Sequence, residues 1–131
     1  REYVDDYIRK RTVKMSVREC TEFSKYMADL GRSLSKLKMK IIIPHDISIL
    51  GIKAGRYDVQ RFIYWHFLKC FWDESNNFDR SVGVNFDWYF PKFAFRHTPN
   101  EVKKWFTSSK IKIITFKEVE SGISVTGKKM D

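Results

Sequence analysis

The sequence predicts an α+β fold: a helical region, then one further helix and a terminal antiparallel β-hairpin. Three observations predict it. Between Ser16 and Leu37 apolar residues recur at threes and fours; Thr98-Pro99-Asn100-Glu101 is a helix-start signal; and two β-like runs flank Ser121-Gly122 near the end.

Taken in order, Glu2 to Lys10 fits a short helix with Tyr3, Val4, Tyr7 and Ile8 on one side. Ser16-Val17-Arg18-Glu19 is a capping-box pattern, in which the serine accepts an orphan N–H three residues on and the glutamate reaches back. Val17, Cys20, Phe23, Met27, Leu30, Leu34 and Leu37 then mark an amphipathic helix, with Gly31 a weak point inside it. Lys40-Ile41-Ile42-Ile43-Pro44 fits a short strand stopped by proline, and His45 to Arg56 reads as loop. Asp58 opens a second helical segment through Phe71, and Asp73 to Asn77 is a polar break.

The aromatic segment Asn85-Phe86-Asp87-Trp88-Tyr89-Phe90-Pro91 reads as a loop. In the helix that follows, Thr98 caps and Pro99 takes the first position, where a missing N–H costs nothing. Glu101 completes the box, and the helix, stopping near Ser109, turns Val102, Trp105 and Phe106 to the core. Lys110 to Glu120 has apolar residues on both faces, the pattern of a strand covered on each side. Ser121-Gly122 supplies the turn, and Ile123, Val125 and Gly127 lie on the returning strand. The domain reading is a helical, cap-like region over 1–79, then aromatic loop, helix and hairpin over 80–131, expected as one compact unit.

Composition bounds the function. The chain has 131 residues, 43% of them hydrophobic and 16% aromatic, enough to form a core and to exclude general disorder. Its formal charge of +9 favours acidic partners through long-range, salt-sensitive attraction. The lysines are dispersed, however, which disfavours a nucleic-acid track. Cys20 and Cys70 lack partners at metal-ligand spacing, so no metal site is expected, and two free thiols suit a reducing, cytoplasmic setting. No apolar run reaches membrane-spanning length. The start at Arg1, without an initiator Met, reads as an excised or processed segment.

The order of aromatic segment, capped helix and hairpin resembles the closing section of class I S-adenosylmethionine-dependent methyltransferases of the type-11 branch. The residues that carry it are Asn85 to Pro91, His97-Thr98, Glu101-Val102 with Trp105-Phe106, and Gly122-Ile123-Ser124-Val125 with Gly127-Lys128. Residues 1–79 match more loosely, through Arg9, Thr12 and Met15. The resemblance implies the C-terminal portion of a Rossmann-like methyltransferase fold. That family holds its cofactor with a glycine-rich turn and an acidic residue at the end of the next strand. Neither is present here, and the six glycines are scattered. The implied function is therefore the substrate-recognition portion of a methyltransferase, inactive as an isolated chain. S-adenosylmethionine would be the cofactor of the longer enzyme, with no cofactor-binding residues here. The implied partners are the N-terminal cofactor half of the same polypeptide and a small-molecule or glycan-like acceptor.

In that family the loop before the last helix and the helical cap line the acceptor side. The resemblance thus implies Asp87 and His97 as catalytic groups, with Phe86, Trp88 and Tyr89 binding substrate. Asp87 would orient or deprotonate the acceptor, His97 would act as a base, and Tyr89 would hydrogen-bond. Each has a structural reading too: Asp87 as a turn cap, His97 as a ring packed beside Thr98. Trp105 reads as core. Two other functions stay open: a basic nucleic-acid-binding module, with lysines on phosphates and rings on bases, and an interaction domain docking through an apolar face.

Overall fold

The computed structural model describes residues 4–119 and 122–130; the positions read for Glu2, Tyr3, Glu120 and Ser121 lie outside them. It is an α+β protein with helices α1 (Val4–Thr12), α2 (Val17–Lys36), α3 (Val59–His66), α4 (Phe78–Tyr89) and α5 (Pro99–Ser108). Strands β1 (Lys40–Ile43) and β2 (Gly55–Asp58) form one antiparallel hairpin, and β3 (Ile111–Val119) and β4 (Gly122–Lys129) form the other. The chain divides into two compact units, residues 1–92 and 93–131; the boundary read at 79/80 falls inside α4.

The first unit is organised by α2. Ser16 and Glu19 form the capping box, with the Ser16 N–H donating to Glu19 at 2.8 Å. Cys20, Ser24, Met27, Ala28 and Gly31 form the buried stripe of this helix. Cys20 and Met27 join Cys70 and Tyr89 in the core, surrounded by half-buried residues including Ile8, Phe23, Leu34, Ile63 and Phe86. Gly31 is a close-packing position rather than a weak point. A methyl there would overlap the Cys70 carbonyl oxygen and lie 3.0 Å from Trp72 Cβ.

The largest departure from the sequence reading is α4. Asn85 to Tyr89, read as an aromatic loop, form the last turns of a helix that Asn77 caps by accepting the Arg80 N–H at 2.8 Å. Helix propensity does not explain it, because Val82, Gly83 and Val84 are poor formers. Packing does. Fully buried Asn85 accepts the Phe71 N–H at 2.8 Å and donates to the carbonyls of Phe71 (3.0 Å) and Ser81 (2.9 Å). At the C-terminal end, where helix carbonyls lack intrahelical donors, Thr12 donates to Tyr89 O at 2.7 Å and Arg9 to Pro91 O at 2.5 Å. Arg9 and Thr12 thus fasten α1 to the end of α4.

Two smaller departures share this cause. The helix opening at Asp58 ends at His66 rather than Phe71, and Gly55 and Arg56, read as the end of a loop, pair with β1 as part of β2 (Gly55–Asp58).

In the second unit α5 follows its signal closely. Thr98 accepts the Glu101 N–H and Glu101 accepts the Thr98 N–H at 2.6 Å. The register Ile113↔Gly127 and Phe116↔Val125 brings Ile111, Ile113, Phe116, Ile123 and Val125 to a half-buried face. Gly127 is required there: a Cβ would meet Ile111 and lie 2.9 Å from the Phe106 ring of α5. The opposite face carries exposed Lys112, Thr115, Lys117, Ser124, Thr126 and Lys128, so β3 is covered on one side and not on both. Ile114, which suggested a second apolar face, sits at a register irregularity between Ile113 and Thr115 and is 63% exposed.

Candidate functional site

Four of the five residues implied by the resemblance fall in the first unit and His97 in the second. Phe86, Asp87, Trp88 and Tyr89 lie in the first unit, in one helix; successive residues point about 100° apart, so they cannot form one wall. Asp87 is exposed. Phe86 is half-buried and stacks on Phe90 at 4.6 Å. Tyr89 is fully buried, edge-on to Phe23 at 5.1 Å, and its hydroxyl donates to Lys69 O at 2.8 Å. Burial raises its pKa, so it is a structural phenol in this conformation rather than an acceptor-facing one. Trp88 packs against Lys69, whose ammonium lies 4.4 Å from Trp65, 4.6 Å from Tyr64 and 5.1 Å from Trp88. Lys69 is only 6% exposed, so these rings enclose a side chain of the protein itself.

His97 belongs to the second unit, where the structure assembles a feature the sequence reading missed. The stretch 93–97 is irregular, and alternate residues Phe93, Phe95 and His97 carry rings. Phe93 and Phe95 stack with centroids 6.4 Å apart and planes at 24°; Phe95 and His97 are also 6.4 Å apart. The Thr98 cap then starts α5 so that Trp105 returns to meet His97 at 4.4 Å, edge to face. The result is a ladder of four rings. It is open to solvent: Phe93 is 80%, Phe95 75% and Trp105 48% exposed. Trp105, expected in the core, is thus a surface ring. The signal was legible as an alternation of rings at a period of two before a cap.

A shallow cleft along α5 is lined by Asn100, Lys103, Lys104, Thr107 and Ser108. These residues are spaced at threes and fours and so share one helix face. Lys103 also lies 4.5 Å from the Phe116 ring. Trp105 lies off that face, so the ring ladder and the lysine-lined cleft are neighbouring features: rings can stack a planar or sugar-like ligand, and ammonium groups can hold an anionic one. Among the described residues no group of three or more His, Cys, Asp or Glu side chains is placed to hold a metal ion. Both cysteines are buried and unpaired; burial raises the Cys20 thiol and pushes Cys70 up to about 11.

The described residues form an α+β protein with five α-helices and two antiparallel hairpins, and no described helix is long and apolar enough to cross a membrane. Comparison with protein-family models, curated proteins and solved structures finds no match.

Proposed function

We propose that this chain is the C-terminal, substrate-recognition portion of an S-adenosylmethionine-dependent methyltransferase, working with a cofactor-binding half that these residues do not contain. The observation that carries the reading is the unfinished character of the second unit. Among the described residues its hairpin has two strands, each with one lateral edge unpaired, and none of the unit's described residues is fully buried. A two-stranded hairpin is marginal by itself and gains stability when an edge joins a larger sheet. In the family resembled, the terminal hairpin borders the sheet that binds the cofactor. The ring ladder supports the same reading, because the segment before the last helix lines the acceptor side in that family. Phe93, Phe95 and Trp105 would then hold a small-molecule or glycan-like acceptor by stacking, with His97 beside the acceptor atom as base.

The test is calorimetric titration of S-adenosylmethionine into residues 1–131 and into the reading frame extended upstream of Arg1. Saturable binding by the extended polypeptide alone is expected. Binding by residues 1–131 alone, or an upstream sequence without a strand leading into a glycine-rich turn, overturns the reading. One observation favours a second function: the ladder lies in the same unit as Lys103 and Lys104, an arrangement suited to stacking bases and neutralising phosphates. Salt-dependent binding of single-stranded RNA that Phe95→Ala abolishes would promote it.

A further inference from the structure

The β1–β2 hairpin projects an ordered, apolar tip, and we propose that it docks onto an anionic lipid bilayer by inserting Ile49 and its neighbours. The proposal does not rest on the methyltransferase reading. The strands pair Lys40↔Asp58, Ile41↔Tyr57, Ile42↔Arg56 and Ile43↔Gly55. Residues 44–54 between them are held by their own backbone. Ile47 and Ile52 exchange hydrogen bonds at 2.8 and 3.2 Å, and the 3-10 turn Ser48–Leu50 closes through Gly51, whose φ of 65° suits glycine. Asp46 accepts the Ala54 N–H at 2.8 Å and pairs with Lys53 at 2.7 Å.

This order turns apolar side chains outward. Ile52 is 1% exposed and anchors the loop, whereas Ile49 is 90%, Ile42 72%, Ile47 39% and Leu50 37% exposed. A loop held this firmly has fixed the direction in which Ile49 points.

Charge selects the occupant. Lys40 and Arg56 lie on the same face of the hairpin as Ile42 and, among the described residues, form no salt bridge; Asp58, opposite Lys40 on that face, is engaged in capping α3 through the Arg61 N–H. Lys53, nearer the tip, is neutralised by its pair with Asp46, so the charge available to a partner is that of Lys40 and Arg56. Exposed isoleucines at the tip with Lys40 and Arg56 behind them match the two layers of an anionic membrane surface, acyl chains below and negative headgroups above. A narrow tip suits this better than a protein interface, which needs on the order of 1,000 Å² of complementary surface.

The test is co-sedimentation of the full 131-residue chain with phosphatidylcholine vesicles, with and without phosphatidylserine. The protein should partition onto the anionic vesicles and stay in the supernatant with the neutral ones. Doubly substituted Ile49→Ser/Leu50→Ser and Lys40→Glu/Arg56→Glu variants should each bind at least about tenfold more weakly, with unchanged circular dichroism. Failure of the wild-type chain to sediment, or variants that bind as it does, overturns the proposal. So does self-association in sedimentation velocity that Ile49→Ser/Leu50→Ser abolishes in the absence of vesicle binding.

Discussion

Two glycines in two helices should respond to the same substitution with opposite signs. In an exposed helix, replacing Gly by Ala removes backbone entropy from the unfolded chain and stabilises by about 0.5–1 kcal/mol. Gly83 in α4 is exposed and nothing lies within 4 Å of an added Cβ, so Gly83→Ala should gain about that much. At Gly31 the new methyl would overlap the Cys70 carbonyl oxygen and lie 3.0 Å from Trp72 Cβ and 3.2 Å from the Cys70 carbonyl carbon. That carbonyl is not free to retreat. Buried Gln60 donates to it at 3.1 Å, and Asn85 holds Phe71, the next residue, at both its N–H and its carbonyl. Overpacking against fixed backbone costs about 1–3 kcal/mol, and breaking the Gln60 bond about 1 kcal/mol more. After subtracting the propensity gain, Gly31→Ala should destabilise by about 1–3 kcal/mol. The assay is urea unfolding followed by far-UV circular dichroism, comparing midpoints at equal slope. A Gly31→Ala chain as stable as the wild type or more so would refute the claim that α2 and the 70–72 segment meet backbone to backbone.

Three other outcomes follow from the same structure. Asn85→Ala should cost about 2–4 kcal/mol in the same assay, because it leaves both polar groups of Phe71 without partners in a partly buried setting. Cys20 and Cys70 should react with an aromatic disulfide reagent at pH 8 at least about tenfold more slowly in the folded chain than in urea, since both are buried with raised pKa values. Glu19 and Glu101 accept the backbone N–H and the hydroxyl of their cap residues, which holds both below the ordinary value of 4.5. A carboxylate so depressed stabilises the fold above its unfolded value, and that contribution disappears as pH falls through the folded value. Helix content should therefore begin to fall below pH 4.5, and Glu101→Ala should shrink the fall; equal titrations of variant and wild type would contradict it.

The parts legible in the sequence are those whose cause is local. The boxes Ser16–Glu19 and Thr98–Glu101 name their helices because the cap and the groups it satisfies lie three residues apart. The period of two in the β3 and β4 runs likewise foretold the hairpin. Of the five site residues the resemblance implied, only His97 stands in the exposed ring ladder; Phe93 and Phe95 carry no motif of that family that singles them out, and Trp105 reads as core. Trp105 occupies an amphipathic helix that looked able to bury it, and exposure depends on what lies opposite, which no local pattern contains.

The amino-acid order alone determined the α+β class, the capped helices α2 and α5 and the terminal hairpin, since each follows from contacts within a few residues. Tertiary structure alone decided that Phe78 to Tyr89 is a helix, that Gly31 is needed, and that Tyr89 is interior. Those outcomes depend on Thr12, Lys69 and Cys70 arriving from distant positions, and long-range contacts leave no periodic trace in the chain that makes them.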